Sequence, residues 1–122
     1  MKKILIVEDD PVARGILHKQ LSSSYQVEMT GDAMAAFTQA RKSPPDLIVL
    51  DLGLPAGGGY TVLQRLKSIP ALSVIPVLVV SGLDRAENEK KALAAGATAF
   101  LSKQPSDDEL LNKIKQMLGD QT

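Results

Sequence analysis

The chain has 122 residues, which predicts one folded domain over 1–122, since domains commonly hold about 100–150 residues. Its 44% hydrophobic content supports a packed core and excludes intrinsic disorder, and 14 basic against 14 acidic residues exclude a generic electrostatic nucleic-acid binder. No cysteine and one histidine, His18, exclude disulfide scaffolds, thiol catalysis, iron–sulfur clusters and multi-histidine metal sites.

Short apolar runs alternate with segments of helical period. The first run, Ile4–Val7, is apolar throughout and predicts a strand covered on both faces. Asp10-Pro11 reads as an N-cap with proline at the first helical position, and Ala13, Ile16, Leu17 and Leu21 then form one apolar stripe. Tyr25–Thr30 alternates polar and apolar residues and predicts an edge strand. Asp32 precedes Ala33, Ala36, Phe37 and Ala40 at helical spacing. Leu47–Leu50 and Val74–Val80 are further continuous strand candidates, with Pro44-Pro45 and Pro70 breaking the connections. Gly96 ends a helix around 90–95, and Ala99–Leu101 is the fifth run. Ser106-Asp107-Asp108-Glu109 reads as a capping box ahead of a buried face of Leu110, Leu111, Ile114, Met117 and Leu118. Strand and helix thus alternate five times. That order predicts an α/β fold, a doubly wound, mostly parallel five-stranded sheet with helices on both faces. The N-terminal apolar run is too short for a signal peptide, and no stretch approaches the ~18 residues that span a bilayer, so a cytoplasmic chain without membrane contact is expected.

Open α/β sheets bind ligands beyond the carboxyl ends of their strands, where strand order reverses. The first strand runs into Glu8-Asp9-Asp10, the third into Asp51, the fourth into Ser81-Gly82 and the fifth into Ser102-Lys103. Carboxylates gathered in one crevice repel each other and lose hydration, which a divalent cation relieves. Oxygen donors without histidine or cysteine favour a hard ion, Mg2+ or Mn2+. With a metal beside it, the Asp51 carboxylate has the chemistry to attack phosphorus and form an acyl phosphate. Lys103 would pair with the phosphoryl oxygens and Ser81 would hydrogen-bond them. Taken singly, these residues have plainer readings: Asp10 as a helix cap, Ser81 as the end of a strand, Lys103 as a solvated lysine.

Four segments, 4–10, 46–55, 76–82 and 96–103, carry a resemblance that extends over residues 3–118. They read Ile-Leu-Ile-Val-Glu-Asp-Asp, Asp-Leu-Ile-Val-Leu-Asp-Leu-Gly-Leu-Pro, Pro-Val-Leu-Val-Val-Ser-Gly and Gly-Ala-Thr-Ala-Phe-Leu-Ser-Lys. Jointly and in this order they resemble the receiver domain of bacterial two-component response regulators, the CheY-like family. The resemblance implies a flavodoxin-like sheet of strand order 2-1-3-4-5. It implies phosphorylation at Asp51, metal binding by Glu8, Asp9, Asp51 and the carbonyl of Gly53, and a phosphoryl-binding switch made by Ser81, the amide of Gly82, Lys103 and the inward-turning aromatic Phe100. The implied partners are a sensor histidine kinase or phosphotransfer protein, a downstream protein at the face of the fourth helix, fifth strand and fifth helix, and a second copy in a homodimer. Direct nucleic-acid binding is not implied. Such a domain catalyses its own Mg2+-dependent phosphorylation and dephosphorylation but serves as a signalling switch rather than an enzyme.

Three departures stand out. Gln104 separates Lys103 from Pro105, where the family places proline directly after its lysine. Residues 54–60 lack the common Met-Asp and hold three glycines, which suggests a mobile loop. Gly53 lacks the longer side chain common there and, with apolar Leu83, leaves no polar group to position a hydrolytic water. Rival chemistries fit less well. A haloacid-dehalogenase-type phosphatase wants a second Asp where Gly53 stands, and an FMN binder wants a phosphate loop where Glu8-Asp9-Asp10 repels phosphate. The remaining alternative is a receiver-like interaction module that works without phosphorylation.

Overall fold

The computed structural model describes residues 1–55 and 58–119. The expected loop mobility rests partly on residues 56 and 57, which lie outside the described residues. Five strands, β1 (Lys3–Val7), β2 (Gln26–Thr30), β3 (Leu47–Leu50), β4 (Val77–Ser81) and β5 (Ala99–Ser102), form one parallel sheet of order β2-β1-β3-β4-β5. Helices α1 (Pro11–Leu21), α2 (Ala33–Lys42), α3 (Gly58–Ser68), α4 (Pro70–Ser73), α5 (Arg85–Ala94) and α6 (Asp107–Leu118) connect and follow the strands.

The alternation of side chains along each strand divides the core in two. Ile4 and Ile6 of β1, with Val49, Leu78, Val80 and Leu101, pack against Leu17 and Leu21 of α1 and Leu110 and Ile114 of α6. Leu5 and Val7, with Ile48, Leu50, Val77 and Val79, pack on the opposite layer against Phe37 of α2, Leu63 and Leu66 of α3 and Ala92 of α5. A sheet covered on both faces needs apolar residues along its inner strands, which is why residues 4–7, 47–50 and 77–80 read as unbroken apolar runs. Burial of Val62, Leu63 and Leu66 seats α3, each side chain contributing about 1.5–3 kcal/mol.

Polar side chains set the helix starts as expected. The Asp10 carboxylate accepts the Val12 N–H at 3.2 Å, Asp32 accepts that of Ala35 at 2.7 Å, and the Ser106 hydroxyl accepts that of Glu109 at 3.1 Å. Gly96 takes φ +114°, open to glycine at little cost, and follows the last turn of α5, while Ala97 N–H returns to Ala92 C=O at 3.0 Å. That helix begins at Arg85, five residues before the predicted segment.

Several strand boundaries differ from the expectation: β1 begins one residue earlier, at Lys3, and β4 and β5 each run one residue further, to Ser81 and Ser102. β4 begins at Val77, not Val74. Pro70 starts the short helix α4, Val74 closes it and stands 81% exposed, and Ile75 N–H bonds back to Leu72 C=O. Tyr25 precedes β2, its N–H bonded to Leu21 C=O and its side chain buried. β2 does lie at an edge of the sheet.

Candidate functional site

Backbone pairing continues one residue beyond each of three strands and fixes where the polar strand-end residues stand. Val7 pairs with Leu50, so Glu8 and Asp51 leave adjacent strands side by side. Glu8 N–H donates to Thr30 C=O at 3.0 Å, Asp51 N–H to Val7 C=O at 3.0 Å, and Lys103 N–H to Ser81 C=O at 2.9 Å. The side chains of Glu8, Asp51 and Lys103 therefore stand on backbone whose position the sheet dictates.

Carboxylate oxygens of Glu8, Asp9 and Asp51 all lie within 4.8 Å of one another. Glu8 is 1% exposed and Asp51 6%, while Asp9 faces solvent. The Lys103 ammonium pairs with Glu8 Oε1 and stands 3.4 Å from Asp51 Oδ2, bridging the two buried acids. Gly53 N–H donates to Asp51 Oδ1 at 3.0 Å, and Asp10 N–H to Glu8 Oε2 at 3.3 Å. Burial pushes the Glu8 pKa above the ordinary glutamate value; the Lys103 hydrogen bond opposes this and the neighbouring Asp51 reinforces it. Burial opposes the charge on Lys103, yet the hydrogen bond to Glu8 and the negative charges of Asp51 and Glu8 hold its pKa above the usual lysine value. This all-oxygen donor set, too crowded with negative charge for one ammonium to neutralise, fits a hard divalent cation such as Mg2+.

The other predicted residues surround this cluster at different ranges. Ser81 is fully buried, and its Oγ accepts the Leu83 N–H at 3.0 Å, closing the turn that carries Gly82. Gly82 lies over the Lys103 stem: a Cβ there would sit 3.8 Å from Lys103 Cδ. A Cβ on Gly53 would stand 3.4 Å from both Asp51 oxygens, so glycine leaves the carboxylate uncovered. Phe100 is not part of the acidic cluster. Its ring is buried in the core with the Arg85 guanidinium 5.8 Å from its centre. Gln104 is exposed and follows a cis peptide bond, while Pro105 is buried and its C=O accepts a hydrogen bond from Gln20 Nε2 at 3.0 Å.

Two contributors go unmarked in the sequence reading. A Cβ on Gly59 would lie 2.4 Å from Leu52 Cα and 2.7 Å from Asp51 C=O, so α3 rests directly on the segment that carries Asp51. Tyr60, next in the chain, donates its hydroxyl to Asn88 Oδ1 at 2.8 Å and stacks under the Lys91 ammonium at 4.4 Å, joining α3 to α5. A glycine at the start of a helix is the one visible hint of that close approach.

Residues 4–115 match the family model described as the response regulator receiver domain. The chain belongs to this family. The receiver is 32% identical over 120 residues to the polar-differentiation response regulator DivK of Brucella anthropi, covering 98% of each. Several curated relatives are much longer, and the receiver spans 13%, 49% and 24% of three of them. Among solved structures, a response regulator from Chloroflexus aurantiacus superposes with TM-score 0.91 at 28% identity, covering 97% of this chain and 98% of that one. The receiver domain of the sensor histidine kinase PA1611 from Pseudomonas aeruginosa, solved with magnesium in its active-site cleft, superposes with TM-score 0.88 at 25% identity over 97% and 98% of the chains. No helix among the described residues is long and apolar enough to cross a membrane.

Proposed function

We infer that residues 1–122 form a single phosphoacceptor switch, in which Asp51 takes a phosphoryl group from a phosphohistidine on a sensor histidine kinase or phosphotransfer protein. The observation that carries this reading is the juxtaposition of three carboxylates with one ammonium: Glu8, Asp9 and Asp51 within 4.8 Å and Lys103 bridging Glu8 and Asp51. Glu8, Asp9, Asp51 and the Gly53 carbonyl would hold Mg2+, or Mn2+, which when bound offsets negative charge on the phosphoryl oxygens. An Asp51 carboxylate oxygen attacks phosphorus in line, and its bond to phosphorus forms as the phosphorus–nitrogen bond of the donor breaks. The imidazole leaves with the electron pair. The product is an acyl phosphate on Asp51, formed by the chain's own site, so the domain acts as a switch with self-directed chemistry.

Lys103 holds one end of the response. Its ammonium exchanges Asp51 for the new phosphoryl oxygens while its backbone stays paired with Ser81. The Ser81 hydroxyl, now engaged by Leu83 N–H, rotates toward the phosphoryl group, and the Gly82 N–H faces it. This draws in the turn that starts α5. Arg85 in the first turn of α5 lies against Phe100, so the face of α5, β5 and α6 changes with it and selects a downstream protein or a second copy. Reversing a 1:99 equilibrium to 99:1 in this way takes about 5.5 kcal/mol of differential binding. The acidic crevice offers nucleic acid nothing, and a cytoplasmic location suits a kinase-coupled messenger.

Acetyl phosphate with Mg2+ should label the parent and leave Asp51→Asn unlabelled. Beryllofluoride should shift the amide resonances of Ser81, Gly82 and Lys103. Undiminished labelling of Asp51→Asn removes Asp51 as acceptor, and a parent that neither labels nor binds beryllofluoride is a phosphorylation-independent interaction module.

A further inference from the structure

Away from the acidic crevice, a groove of about 400 Å3 opens between α2 and α3. Met34, Thr38 and Arg41 share one face of α2 and line one wall, and Arg65 near the end of α3 with Ile69 just after it line the other. The buried ring of Phe37 forms the floor, and the Arg65 guanidinium lies 5.7 Å from its centre, held against an apolar surface. Met34, 67% exposed, presents an apolar side chain beside this floor.

The charge here is one-sided. Together α2 and α3 carry Arg41, Lys42, Arg65 and Lys67 and no acidic residue. Among the described residues, no carboxylate pairs with Arg41, Lys42 or Arg65. The nearest acid, Asp32, caps the start of α2 and is engaged by the Ala35 N–H, and no acidic residue lines the groove. Helix dipoles favour basic residues in the last turn of each helix, but they do not call for Met34 in the first turn of α2 or for an aromatic floor. A compact dianion would meet the carbonyl ends of both helices rather than N–H groups, and would leave Met34 and Phe37 unused.

We propose that this groove docks an acidic amphipathic segment of a partner protein. Two carboxylates of the segment take the guanidinium forks of Arg41 and Arg65, and an apolar side chain between them packs over Phe37 against Met34. Methionine adapts to such an insertion better than a branched residue. The groove lies on the sheet layer opposite α1 and α6, and its lining includes no residue of the crevice. Occupancy there leaves the crevice and the face of α5, β5 and α6 open, so one molecule can hold this partner while it receives a phosphoryl group.

The test titrates the 15N-labelled full chain with a synthetic amphipathic peptide of glutamate and leucine, followed by amide shifts. Saturable shifts centred on Met34, Thr38, Arg41 and Arg65, weakened by salt, are expected. Arg41→Glu/Arg65→Glu should bind about tenfold more weakly or worse, with Arg41→Gln/Arg65→Gln between it and the parent, while acetyl-phosphate labelling stays at the parent level. Four results each overturn the proposal: no saturable shift, shifts centred elsewhere, affinity indifferent to both double variants, or inorganic phosphate moving the same resonances equally. Groove shifts that grow with protein concentration in the absence of peptide also overturn it, by assigning the face to a second copy.

Discussion

Lys103 is the one cation between two buried acids, and Lys103→Met separates its charge from its packing. At 3.4 Å and an effective dielectric of about 20, the pair with Asp51 alone carries about 5 kcal/mol of Coulomb attraction. Rehydration of a side chain already 22% exposed, and the ordering it no longer requires, reduce the net effect of losing it. A destabilisation of about 2 kcal/mol is expected in the metal-free protein, because Glu8 and Asp51 are left facing each other. Urea unfolding reads this as a midpoint lowered by about 1 M for a slope of about 2 kcal/mol/M. Mg2+ at roughly 100 times its Kd stabilises a chain that binds it by about 2.7 kcal/mol. The variant's crevice carries one more net negative charge, so it should gain more from Mg2+ than the parent, and the gap should narrow. An equal deficit with and without Mg2+, or no deficit in either, refutes the reasoning that electrostatic crowding governs this site.

The raised pKa of Glu8 sets a second expectation: between the ordinary glutamate value and its elevated one the folded chain binds more protons than the unfolded, so metal-free stability falls as pH rises through that window. Thermal unfolding across pH should show this fall in the parent and lose it in Glu8→Gln; an identical slope in both would count against it. Gly59→Ala should cost about 3 kcal/mol, since its Cβ meets backbone at 2.4 Å, whereas Gly53→Ala, at 3.4 Å from the Asp51 oxygens, should stay within about 0.5 kcal/mol. Matching urea midpoints for the two alanine variants would deny the close approach of α3. Gly53→Asn and Leu83→Asn each place an amide near the acceptor and should change the lifetime of the acyl phosphate more than the affinity for Mg2+; lifetimes equal to the parent's remove that role.

What the linear pattern reveals is what backbone periodicity controls. Unbroken apolar runs identified β1, β3 and β4 because strands covered on both faces leave no solvent side, and the alternation in β2 identified an edge. Asp10, Asp32 and Ser106 identified helix starts because capping is a contact between neighbours in sequence. Val74 misled because an apolar residue closing a single helical turn looks the same as the first residue of a strand. At the site, residue types and their strand-end positions sufficed to bring Glu8, Asp9, Asp51 and Lys103 together. Properties that depend on approach between distant segments were not legible: the bridging of two acids by Lys103, the seat of α3 on Gly59, and the link from Tyr60 to Asn88.

Since the sheet's own hydrogen-bond ladder anchors the backbone of Glu8, Asp51 and Lys103, the outward sides of the helices contribute little to the placement of these groups. Residues on the exterior can therefore change one by one while the acidic cluster and its lysine at the rim keep their arrangement. A scaffold divided this way lends itself to reuse beside many different neighbours.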